Sequence, residues 1–170
     1  MITADFEPNF KSWRSEARRL LNQNVLPEAI NWSQSMGTLF DDESLLIKKN
    51  KKSSLKKVSI SKDTLKILET LSYAGGDGGW DLMYRLIYRL TYENPSLLNI
   101  STDKDVRQMQ LLKKSISRDI HKLHAFVRFK KIVVDEQETF IAWHRPEHKI
   151  LRPGCPFFVR RFGDKPWSIF

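Results

Sequence analysis

Four histidines, His121, His124, His144 and His148, fall within 28 residues of one another. His121 and His124 stand three apart, a spacing that shares one helix face. Two such pairs, brought together, would suit a divalent zinc, iron or nickel ion, because neutral imidazole ligates all three. Glu147 or Asp119 would complete the shell. The spacing matches no zinc signature, and each ring suits equally a bond to a carbonyl or acid, or stacking on a nucleic acid. No other cofactor is called for. A second constellation is cationic. His121, Arg128, Arg160 and Arg161 would gather around a phosphate, since the planar guanidinium fork matches phosphate oxygens with paired bonds. Ion pairs with Asp119 and Glu147 are the structural alternative. Asp119, Glu147 and Asp164 are candidate acids by position alone. Cys155, between Gly154 and Pro156, would be a nucleophile beside Arg160 or His148, although a lone cysteine is more often an inert packing group. No catalytic motif is recognisable.

These residues need elements to carry them. The long helix expected from Asp103 to about Leu123, capped by Thr102 or Ser101, has an apolar stripe at Val106, Met109, Leu112, Ile116, Ile120 and Leu123. Arg107, Lys114, Arg118 and Lys122 form a second, basic stripe on it. Like charges on one ridge repel by a few tenths of a kcal/mol per pair, a cost that phosphate contact would turn to use. A hairpin is expected from Ala125–Val134 and Thr139–Trp143, around a polar turn at Asp135–Glu138. Alternation puts Phe126, Arg128 and Lys130 on one face, an aromatic and cationic mixture that suits nucleic acid.

Ahead of this, Asn9 caps a helix to about Asn22 with Phe10, Trp13, Ala17, Leu20 and Leu21 inward. Pro27–Ile30 reads as a short helical turn. Residues 41–57 carry Lys48, Lys49, Lys51, Lys52, Lys56 and Lys57 and read as a mobile loop. Val58–Ile60 reads as a short strand, and Ser61 caps a helix over residues 62–73. The Gly75, Gly76, Gly78, Gly79 cluster lacks the spacing of a phosphate-binding loop and reads as a turn. Trp80–Tyr92 is an apolar helix whose Tyr84, Tyr88 and Tyr92 stripe reads as core. Past Pro146 a helix is expected around Pro156–Phe162, then a strand start at Trp167–Phe170.

The chain is therefore expected to be a helix-rich α+β domain, residues 1–170, with a bundle of about four helices on a small antiparallel sheet near 125–144. It reads as the truncated N-terminal part of a longer protein. No apolar run reaches the ~18 residues of a membrane span, and no signal peptide is legible. One cysteine excludes an internal disulfide and a Cys-ligated iron–sulfur cluster, which fits a cytoplasmic protein. The net charge is +9 and uneven. Residues 1–100 hold 14 Lys/Arg against 12 Asp/Glu, and residues 101–170 hold 15 against 8. A positive field of that kind attracts polyanions, of which nucleic acid is the commonest.

The run Arg118-Asp119-Ile120-His121-Lys122-Leu123-His124-Ala125-Phe126-Val127-Arg128-Phe129 resembles the RDIHKMHAFVRF signature of an uncharacterised domain. That domain is found fused ahead of uracil-DNA-glycosylase-like domains, and in stand-alone proteins assigned to DNA metabolism whose genes neighbour a radical SAM protein. Phe10-x-x-Trp13-Arg14, Pro27-Glu28-Ala29-Ile30-x-Trp32, Leu82-x-Tyr84-Arg85-Leu86, Ala142-Trp143-x-x-Pro146-Glu147-His148 and Pro156-Phe157-Phe158-x-Arg160-Arg161-Phe162 resemble other parts of the glycosylase-fused branch. The resemblance implies an accessory role in DNA metabolism or repair, beside a linked glycosylase or a radical SAM partner. Uracil excision itself would belong to sequence outside this chain. The rival readings are a catalytic domain using the histidine cluster on nucleic acid, and an adaptor whose basic face meets an acidic protein.

Overall fold

The computed structural model describes residues 1–34, 59–76, 78–134 and 136–170. The lysine-rich stretch 41–57 and Val58 lie outside the described residues. The fold is α+β, as expected, but its first half holds a sheet that periodicity misses. Strand β1, Ile2–Phe6, pairs in parallel with β2, Ile30–Gln34, in the register Ile2↔Ile30 to Phe6↔Gln34. Helix α1, Phe10–Asn22, makes the crossover between them. Asn9 caps it, its side-chain oxygen accepting from the Ser12 N–H at 2.9 Å. Trp13, Ala17, Leu20 and Leu21 are buried on its inner face. Pro27 opens a 3₁₀ turn, Pro27–Ala29, where its missing N–H leaves nothing unpaired. Ser59 and Ile60 are not in a strand.

Ser61 caps helix α2, Lys62–Leu71, with its Oγ 3.1 Å from the Thr64 N–H. Helix α3, Gly78–Tyr92, follows and is sunk in the molecule. Its tyrosine stripe is core. Tyr84 donates to the Val25 carbonyl at 2.9 Å, Tyr88 to Asn24 Oδ1 at 3.2 Å, and Tyr92 to the Leu21 carbonyl. Tyr84 and Tyr88 are buried and Tyr92 half-buried, and each hydroxyl finds an acceptor. Phe6, Trp13, Trp32 and Trp80 complete this aromatic interior, with Phe6 and Trp80 edge to face at 5.0 Å.

Helix α4, Lys104–Phe126, is capped by Asp103 rather than by Thr102 or Ser101. The Asp103 carboxylate accepts from the Asp105 and Val106 N–H groups at 3.0 and 3.2 Å. It is chosen because it also meets Arg89, whose Nη2 lies 2.7 Å away, while Arg89 Nη1 reaches Asp105 at 2.8 Å. Arg85 bonds Asp105 through Nε at 3.1 Å and pairs with Asp81. The bond from Arg89 holds the Asp103 carboxyl well below its ordinary 3.8, at about 2. A depressed carboxyl stabilises the fold above its unfolded value and loses that contribution as acid protonates it. We therefore expect Asp103→Asn, which keeps a capping oxygen but drops the charge, to cost on the order of 1 kcal/mol at pH 7. The gap from the parent should shrink between about pH 4 and pH 2 in urea unfolding. A gap that stays constant with pH would show that the charge is not involved.

The hairpin is shorter than its sequence suggests. Strand β3 is Lys130–Val134 and β4 is Gln137–Ala142, antiparallel in the register Lys130↔Ile141 to Val134↔Gln137. Ala125 and Phe126 belong to α4, so Phe126 and Arg128 share no strand face with Lys130. Glu136 turns the corner at φ 63°. Strand β5, Trp167–Ile169, adds to β4 in parallel, so the sheet is mixed rather than purely antiparallel. Helix α5, Leu151–Phe162, starts five residues before the expected Pro156. Pro153 lies in its first turn, where an N–H has no intrahelical partner to lose.

Two apolar clusters result. One gathers β1, β2, α1, α2, α3 and the start of α4; the other gathers the rest of α4, the mixed sheet and α5. Helix α4 joins them, with Val106 and Met109 in the first, Ile116 and Leu123 in the second, and Leu112 against both. No helix among the described residues is long and apolar enough to cross a membrane.

Candidate functional site

The face of α4 opposite its buried stripe carries the basic ridge. Arg107, Lys114, Arg118, His121 and Lys122 are all exposed. From Arg107 to Lys122 the ridge runs about 22 Å at 1.5 Å per residue. Arg85 and Arg89 are consumed by carboxylates. By contrast, Arg107, Lys114 and Arg118 form no ion pair among the described residues. Lys122 sits 3.9 Å from Asp119, at the limit of pairing. Arg107 and Lys114 also line a shallow concavity with Ser101, Thr102, Gln110 and Leu111.

At its C-terminal end the ridge meets a groove. Ala125, one turn past His121 on the same helix face, lines a concavity of about 500 Å³ together with His124, Val127, Arg128 and Phe129. Its far wall is Phe140 from β4 and Phe157, Phe158, Arg161 and Phe162 from α5. The rings brace one another: Phe129 lies 4.6 Å from Phe162 edge to face, and Phe140 lies 5.0 Å from Phe162. His124 stacks on Phe157 at 4.4 Å and bonds the Gly154 carbonyl through Nε2 at 3.0 Å. The carbonyl can only accept, so that nitrogen carries the hydrogen. Gly154 allows the approach, since a Cβ there would meet Leu123 Cδ2 at 2.3 Å. Arg128 Nη1 donates to the Ala125 and Val127 carbonyls at 2.8 and 3.3 Å. That fixes its plane and leaves its Nε and Nη2 donors for other acceptors.

The remaining candidates separate. Arg128 and Arg161 share the groove; Arg160 and His121 are exposed but do not line it. The four histidines form no common ligand group among the described residues. Among the described residues, the group with metal-like spacing is Asp119, Glu147 and His148, ligand atoms within 4.8 Å. Two of its three residues are already engaged, while Glu147 is exposed. Asp119 Oδ2 accepts from the Glu147 and His148 N–H groups at 3.2 and 3.1 Å. His148 Nδ1 accepts from the Gly75 N–H at 3.1 Å, and its Nε2 meets Ser115 Oγ at 2.9 Å. This knot ties the loop after the hairpin to α4 and to the α2–α3 turn. His144 Nε2 is buried without a hydrogen-bond partner among the described residues. Asp164 is exposed. Burial pushes the Cys155 thiol up, away from the thiolate a nucleophile needs.

The model of a domain of unknown function, DUF4130, matches residues 77–170. The chain belongs to this family. No curated protein and no solved structure matches it. The DUF4130 segment runs from α3 to β5 and so contains the ridge, the groove and the Asp119 knot apart from its Gly75 donor. Of the groove's lining, residue reading singles out His124, Arg128 and Arg161 but none of the rings Phe129, Phe140, Phe157, Phe158 and Phe162. The signal lies in the ring density of Phe157, Phe158 and Phe162, but a row of rings in one helix reads first as core.

Proposed function

We propose that this chain binds nucleic acid through the α4 ridge and the adjoining groove, as an accessory domain in DNA metabolism or repair. The observation that carries the reading is the contrast within one molecule. The cations of α3 are neutralised by acids, while Arg107, Lys114 and Arg118 stand exposed without ion-pair partners among the described residues. An unpaired row of this length is favourable where it meets phosphates and releases their counterions. The resemblance over Arg118–Phe129 supports a place beside a glycosylase-like domain or a radical SAM protein, with the chemistry supplied by that partner.

The test is fluorescence anisotropy with labelled DNA at several salt concentrations. Four phosphate contacts give a slope of log K against log salt of roughly −3 to −4. The double variant Arg118→Glu, Lys122→Glu should weaken binding at least ~10-fold and flatten the slope by about 2. A flat slope in the parent chain, or unchanged binding by the double variant, overturns the proposal.

A further inference from the structure

The groove has features that a duplex-binding ridge does not require. Its volume of about 500 Å³ lies within the ~300–1,000 Å³ of small-molecule sites. A base held in a duplex is stacked on both faces, so its rings are hidden from protein side chains. An unpaired base offers a free π-face, and aromatic side chains bind such faces with little regard to sequence. The half-buried rings of Phe129, Phe140, Phe157 and Phe162 supply that surface. Arg128, held in plane by its two carbonyl bonds, and Arg161, exposed on α5, supply donors on the same groove. Lys165 adds a cation 5.6 Å from the Phe140 ring centre. The ridge leads straight to this opening through Ala125.

We infer that the groove receives an unpaired base of a single-stranded nucleic acid, with Arg128 and Arg161 on its flanking phosphates. The inference rests on the nucleic-acid reading above and adds the strand type. The backbone tracks along α4, and one base at a time turns inward between the phenylalanine rings.

The experiment compares four probes on the whole chain at one salt concentration: a labelled mixed-sequence DNA strand, its RNA counterpart, the matched duplex, and a strand of equal length whose sugars lack bases. Either base-bearing strand should bind at least ~10-fold tighter than both the duplex and the abasic strand, the scale of one or two stacked bases. The DNA and RNA arms show which sugar is preferred. Phe140→Leu and Phe157→Leu, which keep apolar volume, should each remove most of that preference while the salt slope stays as in the parent chain. A measurement without variants accompanies these: photo-crosslinking of a 5-iodouracil strand, expected at Phe140, Phe157 or Phe129. Equal, steeply salt-dependent binding of all four probes, or crosslinks only along α4, overturns the groove inference and leaves the ridge reading standing. Failure of every probe to bind overturns both.

Discussion

Gly75→Ala is expected to lower the stability of the chain by about 2–4 kcal/mol, in the range of overpacking a rigid contact plus losing a hydrogen bond. A Cβ on residue 75 would stand 2.3 Å from the Glu147 carbonyl oxygen and 3.8 Å from His148 Cα. These are main-chain atoms, so no rotamer change relieves the contact. The loop must retreat, and the bond from the Gly75 N–H to His148 Nδ1 goes with it. Thermal unfolding should show a drop of roughly 5–15 °C for a chain of this size. Combining the change with Glu147→Ala should restore nothing, because the offending atom is not in the side chain. A variant that melts within a degree or two of the parent would mean that the α2–α3 turn yields freely.

The second large effect belongs to Asp119. Its buried carboxylate is the acceptor for two main-chain N–H groups of the loop at Glu147 and His148. Asp119→Ala leaves both donors without partners and should cost about 3 kcal/mol, with Asp119→Asn, which keeps one acceptor oxygen, costing about half as much. Denaturant titration with an unchanged m-value checks this. The same measurement separates a structural knot from a metal site. Since Asp119 and both His148 nitrogens already have protein partners, micromolar zinc should leave the parent chain's midpoint unmoved. A ligand that binds the folded state tightly would raise it. A zinc-dependent rise abolished by Asp119→Ala would reverse the assignment.

What sequence made legible here is what short range decides. Asn9 and Ser61 announce their helices because a cap needs only the next three residues. The α4 ridge is visible because exposure follows from periodicity along one helix. The sequence favours Thr102 or Ser101 over Asp103, because the advantage of Asp103 comes from Arg89, on another helix. Strand β1 is illegible for a similar reason: its partner β2 begins at Ile30, and a parallel pair leaves no turn signature. Ala125–Phe129 contains strand-forming residues, yet burial of Leu123 against Gly154 carries α4 to Phe126. Tertiary packing overrode propensity there. The groove draws on the end of α4, on β4 and on α5, so only its cations could be picked out beforehand, not the rings that face them.

The position of α3 has a consequence for the matched segment taken by itself. The family match opens at residue 77, yet Leu82, Met83, Tyr84, Leu86 and Ile87 are hidden by groups that precede that boundary, Leu21 and Val25 among them. Cut at that point, the piece would show water a greasy helix with three phenols stripped of their acceptors. Residues 77–170 therefore need residues 1–76, or an equivalent apolar cover, to roof that helix.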